Sequence, residues 1–174
     1  MSARPHLTTV PLVVRGYDVD FGGIVSNIVT VRWLEDIRTA MLDRLGSMQA
    51  LVEGGVAPVV ARLEVDYRRP VRLFDAVEGR VWAGEAGRSS LELFTEIVPA
   101  GGDADTGGRT GGRADGRADG GGPDAGSPDA GSPDAGSPDA GRVVYTAARQ
   151  LMVFVDLKTG RPVPVPDAYR PADG

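Results

Sequence analysis

Forty-one consecutive residues, Gly101 to Gly141, contain no valine, isoleucine, leucine, methionine or aromatic side chain. The stretch holds 14 Gly, 8 Asp, 7 Ala and 4 Pro, and GSPDA occurs three times in tandem between residues 126 and 140. A segment with nothing apolar to bury cannot offset an ordering cost of roughly 1–2 kcal/mol per residue. It is expected to be disordered and to stay outside any core. A five-residue polar repeat also has no hydrophobic face on which to stack as a solenoid. Of 174 residues, setting these 41 aside leaves 133 to fold, enough for one ordinary domain core and not two. The chain therefore reads as a single domain over residues 1–174, interrupted by an insert at about 101–141. Loop closure cost grows slowly with length, so a long insert at a hairpin tip is tolerated. Service as an acidic tether to a partner is the alternative to simple loop expansion.

Charge follows the same division. The insert carries 3 Arg against 8 Asp and so accounts for the whole net charge of −5, while the rest balances 16 basic against 16 acidic residues. A neutral folding part lacks the basic face that phosphate neutralisation demands, so nucleic acid is not an expected partner. No apolar run approaches the roughly 18 residues of a membrane span, and the opening MSARPHLTTVPLVV lacks a signal-peptide core with a cleavage site. A cytoplasmic location is expected. The chain has no cysteine, which removes disulfides, thiol nucleophiles and thiolate metal sites from consideration.

Periodicity around the insert predicts strands and one long helix. LTTVPLVVR (7–15) reads as a strand, with Pro11 confining it to an edge or a bulge. From about Asn27 to Leu45, the residues Val31, Leu34, Ile37, Met41 and Leu45 recur at spacings of three and four among charged neighbours, which predicts a helix. Ser26 or Asn27 is its candidate N-cap and Gly46 its stop. Residues 58–68, 75–83, 89–98 and 143–155 are strand-like and separated by turn signals. One helix followed by four hairpin-linked strands implies an α+β fold with an antiparallel sheet laid on a single helix, the insert falling between the last two strands.

The stretch VRGYDVDFGGIVSNIVTVRWLEDIR (14–38) resembles the signature of the 4-hydroxybenzoyl-CoA thioesterase family, in the YbgC-like branch of the hotdog-fold acyl-CoA thioesterases. RLEVDYRRPVRLFDAVEGRVWAGEAGRSSLELFTEIV (62–98) is similar to that family's second and third strands, and ARQLMVFVDLKTGRPVPVPDAYR (148–170) to its last strand and tail. Three blocks in order cover nearly all the folding residues. The resemblance implies about five antiparallel strands wrapped around a central helix, and hydrolysis of an acyl-CoA or acyl-carrier-protein thioester. It also implies a homodimer or homotetramer with the site at a subunit boundary. Coenzyme A or phosphopantetheine would enter only as part of the substrate, with no separate cofactor and no metal. The chain departs from the family pattern at Ser26, Asn27 and Thr30, near the helix start, and carries Phe74 where a glycine is usual.

On the residues alone, Asp18 and Asp20 read as turn and capping groups. DVDFGG brushes a calcium-loop pattern, but Gly22 and Val29 stand at its fifth and twelfth positions, so the bidentate acid is missing. The resemblance assigns Asp20 the catalytic carboxylate, as nucleophile or general base, and Asp18 a structural role. It also implies that the backbone N–H of Asn27 polarises the thioester carbonyl, with Ser26 and Ile28 beside it. Amides in the first turn of a helix are unsatisfied and sit at the positive end of its dipole, which suits a developing oxyanion. Arg68, Arg69, Arg88, Ser89 and Ser90 are the candidate contacts for the thiol carrier: arginine suits bidentate phosphate contacts, and GRSS (87–90) resembles the stretch where family members place basic and hydroxyl groups against coenzyme A. His6, the only histidine, reads as a surface or strand-start residue, Glu35 as a solvated or interface helix residue and Glu64 as an outward strand residue. No G-x-S-x-G elbow is present. The different reading is a hotdog module that binds thioesters, or acts as a scaffold, without turnover.

Overall fold

The computed structural model describes residues 4–101 and 142–171; the expected disorder of the insert falls on residues outside these. The elements run β1 (Thr8–Leu12), α1 (Asn27–Leu45), α2 (Met48–Glu53), β2 (Val56–Tyr67), β3 (Val77–Ala86), β4 (Ser90–Pro99) and β5 (Thr146–Asp156), with single 3-10 turns at Gly16–Asp18 and Asp167–Tyr169. The five strands form one sheet in the order β1-β3-β4-β5-β2, every pairing antiparallel. This is the hotdog arrangement, a sheet curled around one long helix.

Helix α1 starts and stops where capping chemistry dictates. The Ser26 hydroxyl accepts from the Val29 N–H, and the Gly46 N–H donates to Leu42 O at 2.9 Å. Gly46 is extended (φ −171°), so conformation does not require glycine there. Space favours it, because an added Cβ would lie 3.0 Å from the Tyr169 hydroxyl and the ring would have to give. The buried stripe of α1 is Val29, Trp33, Ile37 and Met41, flanked by Thr30, Leu34 and Leu42. Val31, counted by spacing into the apolar face, is 40% exposed; two residues from Val29 is about 200° of helix rotation, which turns it outward.

The helix lies over β1 and β3, and one glycine sets how close it comes. A Cβ on Gly79 of β3 would sit 2.2 Å from Ile37 Cδ1 and 2.5 Å from Ile37 Cγ1, so the fully buried Ile37 fills the space a side chain would take. The core continues through Val77, Val81, Leu91, Leu93, Ile97, Met152 and Phe154 on the sheet's inner face.

Edges follow the prolines. Pro11 lies in β1, an edge strand, and Pro58 in β2, the opposite edge, where a missing N–H interrupts no second ladder. Strand β1 ends at Leu12 rather than reaching Arg15, and Val13 is exposed. The short α2, capped by Ser47 onto Ala50 N, has no counterpart in the sequence reading; six residues are too few for periodicity to register. After β5 the chain doubles back along the sheet. Val163 N donates to Phe154 O and Val165 N to Arg88 O, while Tyr169 packs its ring 5.6 Å from that of Phe154. His6 Nε2 pairs with Arg170 O at 2.9 Å, so the lone histidine ties the N-terminal segment to this returning tail.

Candidate active site

The loop entering α1 is a small hairpin. Asp20 N donates to Ile24 O, Gly23 N to Asp20 O and Ser26 N to Asp18 O. Gly23 takes φ +70°, the left-handed conformation that lets the turn close. Val25 N bonds Val71 O, pinning the hairpin to the segment after β2. The two aspartates are thereby separated in role. Asp18 is buried and its Oδ2 accepts from the Arg15 N–H at 2.8 Å, which fastens the loop base. Asp20 is exposed at the hairpin end; its Oδ1 accepts from Gly22 N at 2.8 Å, and Oδ2 has no partner among the described residues.

Beside this hairpin opens a cleft of about 360 Å³, lined by Ile24, Val25, Asn27, Thr30, Tyr67 and Arg68, with Arg69, Pro70, Val71 and Thr146. Asn27 and the Arg68–Arg69 pair are thus brought together, while Asp20, Ser26 and Ile28 are not among the residues that line it. Ile28 is 67% exposed and turns away from the core. In the first turn of α1, Val29 N is met by the Ser26 hydroxyl and Thr30 N by Ser26 O. The N–H groups of Asn27 and Ile28 have no acceptor among the described residues. The backbone N–H groups of Arg68 and Arg69 both donate to Tyr145 O, at 2.9 and 3.0 Å, so the two guanidinium stems leave from a fixed base. Burial, and after it the negative charge of Asp75, push the Tyr145 hydroxyl above its ordinary value, against the opposing pull of Arg69.

Arg88, Ser89 and Ser90 lie elsewhere. They form the β3–β4 turn, closed by Gly87 N on Ser90 O, and Ser90 pairs with Val153 whereas Tyr67 pairs with Thr146. Seven residues of β5 separate these positions, roughly 23 Å of strand. Within one chain, the residues expected to hold the thiol carrier therefore fall at two ends of the sheet. Of the other acids, Glu35 is exposed and 3.8 Å from Arg38. Glu64 joins an outer-face cluster with Arg62 at 2.7 Å and Arg149 at 3.9 Å, Arg149 also holding Glu92. No group of three or more metal-ligating side chains occurs among the described residues, nor any helix long and apolar enough to cross a membrane.

Two features escape a sequence reading. Tyr67 and Thr146 line the cleft although nothing in the sequence marks either for it, and Thr30, which stands out only as a departure from the family pattern, lines it with them. Further along, a buried polar group forms where Arg38 Nη1 donates to Gln150 Oε1 at 2.7 Å and Gln150 Nε2 reaches Thr95 Oγ1 at 3.5 Å. Gln150 is fully buried. Alternation along β5 marks position 150 as inward-facing, the only signal available.

Comparison with known proteins agrees with this architecture. Residues 14–172 match the model of the thioesterase-like superfamily. The acyl-CoA thioester hydrolase YbgC of Escherichia coli O6:H1 is 36% identical over 91 residues, covering 52% of this chain and 68% of that protein. Among solved structures, a Thermus thermophilus thioesterase complexed with coenzyme A and Zn superposes with a TM-score of 0.60 at 26% identity, over 93% of each chain. A 1,4-dihydroxy-2-naphthoyl-CoA thioesterase from Synechocystis shares the fold with a TM-score of 0.65 at 14% identity, over 94% of this chain and 92% of its own.

Proposed function

Because the chain belongs to the thioesterase-like superfamily, we propose that it hydrolyses acyl-CoA thioesters, with Asp20 as the reacting carboxylate and the first-turn amides of α1 as the oxyanion donors. The observation that carries this reading is a shared loop. One hairpin presents an exposed carboxylate and leads directly into a helix N-terminus, and among the described residues neither Asp20 Oδ2 nor the Asn27 and Ile28 N–H groups have a partner. A thioester carbonyl bound at those amides is polarised before reaction, and negative charge developing on its oxygen meets donors already in position. Asp20 then either adds to the carbonyl carbon, expelling the thiolate and leaving a mixed anhydride for water to cleave, or removes a proton from water that adds directly. In both routes the products are the free acid and the thiol.

The carrier half of the substrate meets Arg68 and Arg69 at the cleft, a pairing suited to phosphate oxygens. Arg88, Ser89 and Ser90, roughly 23 Å away along the sheet, serve the same substrate if they are supplied by a second subunit. An assembly is supported by β2 itself. It is a twelve-residue edge strand with Val59, Val60, Leu63 and Tyr67 each 37% exposed or more, and a long apolar edge of this kind is a template for pairing with another chain. Light scattering at micromolar concentration should give the mass of a dimer or of a tetramer built from dimers; a monomeric mass rejects the shared site.

Activity is tested by thiol release from a panel of acyl-CoAs and acyl-carrier proteins. The chain contains no cysteine, so a thiol reagent reports product with no background from the protein. Release well above the uncatalysed rate with at least one acyl-CoA is expected. Binding of acyl-CoA without release would favour the non-catalytic module, and release only from the carrier-protein thioesters would move the substrate class.

A further inference from the structure

Thr146 is the cleft's last residue on β5, but the strand's inner face runs on. Along β5 the inner face continues through Ala148 to Gln150, while along α1 the residues after Thr30 lead past Leu34 to Arg38, which bonds Gln150. Four residues of strand span roughly 13 Å, and eight residues of helix roughly 12 Å. The two elements thus run side by side over the same length. The third side is β2, where Tyr67, Val65 and Leu63 pair with Thr146, Ala148 and Gln150 and so share their face. Tyr67 and Leu63 are 48% and 37% exposed, because α1 lies over β1 and β3 and leaves this strip uncovered. The result is a strip of sheet, with Leu63 and Tyr67 exposed along β2, that leads from the cleft past the small Ala148 to a guanidinium.

That guanidinium is only partly committed. Nη1 donates to Gln150 Oε1, and Glu35, itself 68% exposed, stands 3.8 Å from Nη2, beyond hydrogen-bond reach. No buried side-chain polar atom among the described residues lacks a partner, so the remaining Arg38 N–H groups face accessible space rather than dry core. Gln150 is fixed in turn by Thr95, which holds the fork in one orientation. Burial disfavours the charged form of Arg38 more than Glu35 restores it; an incoming oxygen acceptor would replace solvation that the site has removed.

Resting on the thioesterase reading above, we propose that Arg38, oriented by Gln150, is a specificity residue that binds an oxygen at the far end of the acyl chain, so that the preferred substrates are acyl-CoAs with a distal hydroxyl or carboxylate rather than plain alkanoyl chains. A site that hydrogen-bonds a substrate group discriminates against the analogue that lacks it, because the partly desolvated guanidinium then gains no acceptor from the chain lying against it.

The experiment compares kcat/KM for decanoyl-CoA, ω-hydroxydecanoyl-CoA and the ω-carboxyl analogue sebacoyl-CoA, with the assembled full-length protein. The parent should favour at least one oxygen-bearing chain over decanoyl-CoA by about tenfold or more, the hydroxyl and carboxylate arms telling which oxygen fits beside Glu35. Arg38→Met, which keeps the apolar stem, should bring that ratio to about one; a purely structural role would lower all three substrates alike and leave the ratio intact. A parent ratio near one overturns the proposal whatever the variant does, so the test survives a variant that fails to fold. A retained ratio in folded Arg38→Met also overturns it. Hydrolysis of decanoyl-CoA alone leaves the thioesterase reading standing while rejecting this one, whereas no release from any thioester rejects both.

Discussion

Asp20→Asn should lower kcat on the best acyl-CoA by a factor of about 10² or more, the loss expected when a general base or nucleophile is removed. The substitution is clean because the local structure does not depend on charge. Gly22 N donates to Asp20 Oδ1, and an asparagine carbonyl accepts the same bond, so the turn closes as before. KM should change little. Asp18→Asn is the control: its carboxylate accepts from Arg15 N inside the loop base, a bond an amide oxygen also accepts, and kcat should stay within a few-fold of the parent. Equal damage in both variants would indicate a disturbed loop, and an unchanged kcat in Asp20→Asn would reject the assignment and turn attention to Glu35 or Glu64.

Gly79→Ala should be the most destabilising single methyl addition in the sheet. The new Cβ would lie 2.2 Å from Ile37 Cδ1, and Ile37, with no exposed surface, has nowhere to swing. Overpacking of this kind costs about 1–3 kcal/mol, a fall in melting temperature on the order of 5–10 °C for a domain of this size. Ile37→Ala alone should also destabilise, by about 2–5 kcal/mol, through the cavity it leaves. In the double variant the two losses should fall short of additive by about 1 kcal/mol or more, because each change relieves the other. Strict additivity, read from thermal unfolding of the four proteins, would show that the helix stands off the sheet at this point.

The fold is largely legible in the sequence because its signals are local and repeated. The α1 boundaries come from a capping serine, a charged and apolar rhythm nineteen residues long, and a terminal glycine. Strands show as β-branched runs between turn residues, and Pro11 marks an edge by its incompatibility with a central position. What cannot be read depends on contacts distant in sequence. Val31 fits the apolar spacing as well as Trp33 does; only the position of the sheet decides which is covered. Arg38 and Gln150 are 112 residues apart, and neither has a neighbour that marks it. The site divides the same way. Asp20, Ser26 and Asn27 sit in one contiguous motif and can be named from it, whereas Thr30, Tyr67 and Thr146 meet only after three elements pack. Arg88, Ser89 and Ser90 share a binding role with Arg68 and Arg69 in the sequence reading, and nothing in the sequence reveals that a whole strand length lies between the two groups.

The position of the 41-residue stretch also bears on how the chain is held together. It falls between β4 and β5, which are neighbours in the sheet with Ile97 paired to Thr146, and β5 is gripped on its other side by β2 along eleven paired positions from Val56 to Tyr67. Register there is fixed by which side chains face the helix, not by the span of the connection. A connection of another length is therefore expected to leave every residue of the cleft in place. By the same logic a break in the stretch is expected to leave two fragments that stay together, the second of them carrying β5 between β4 and β2.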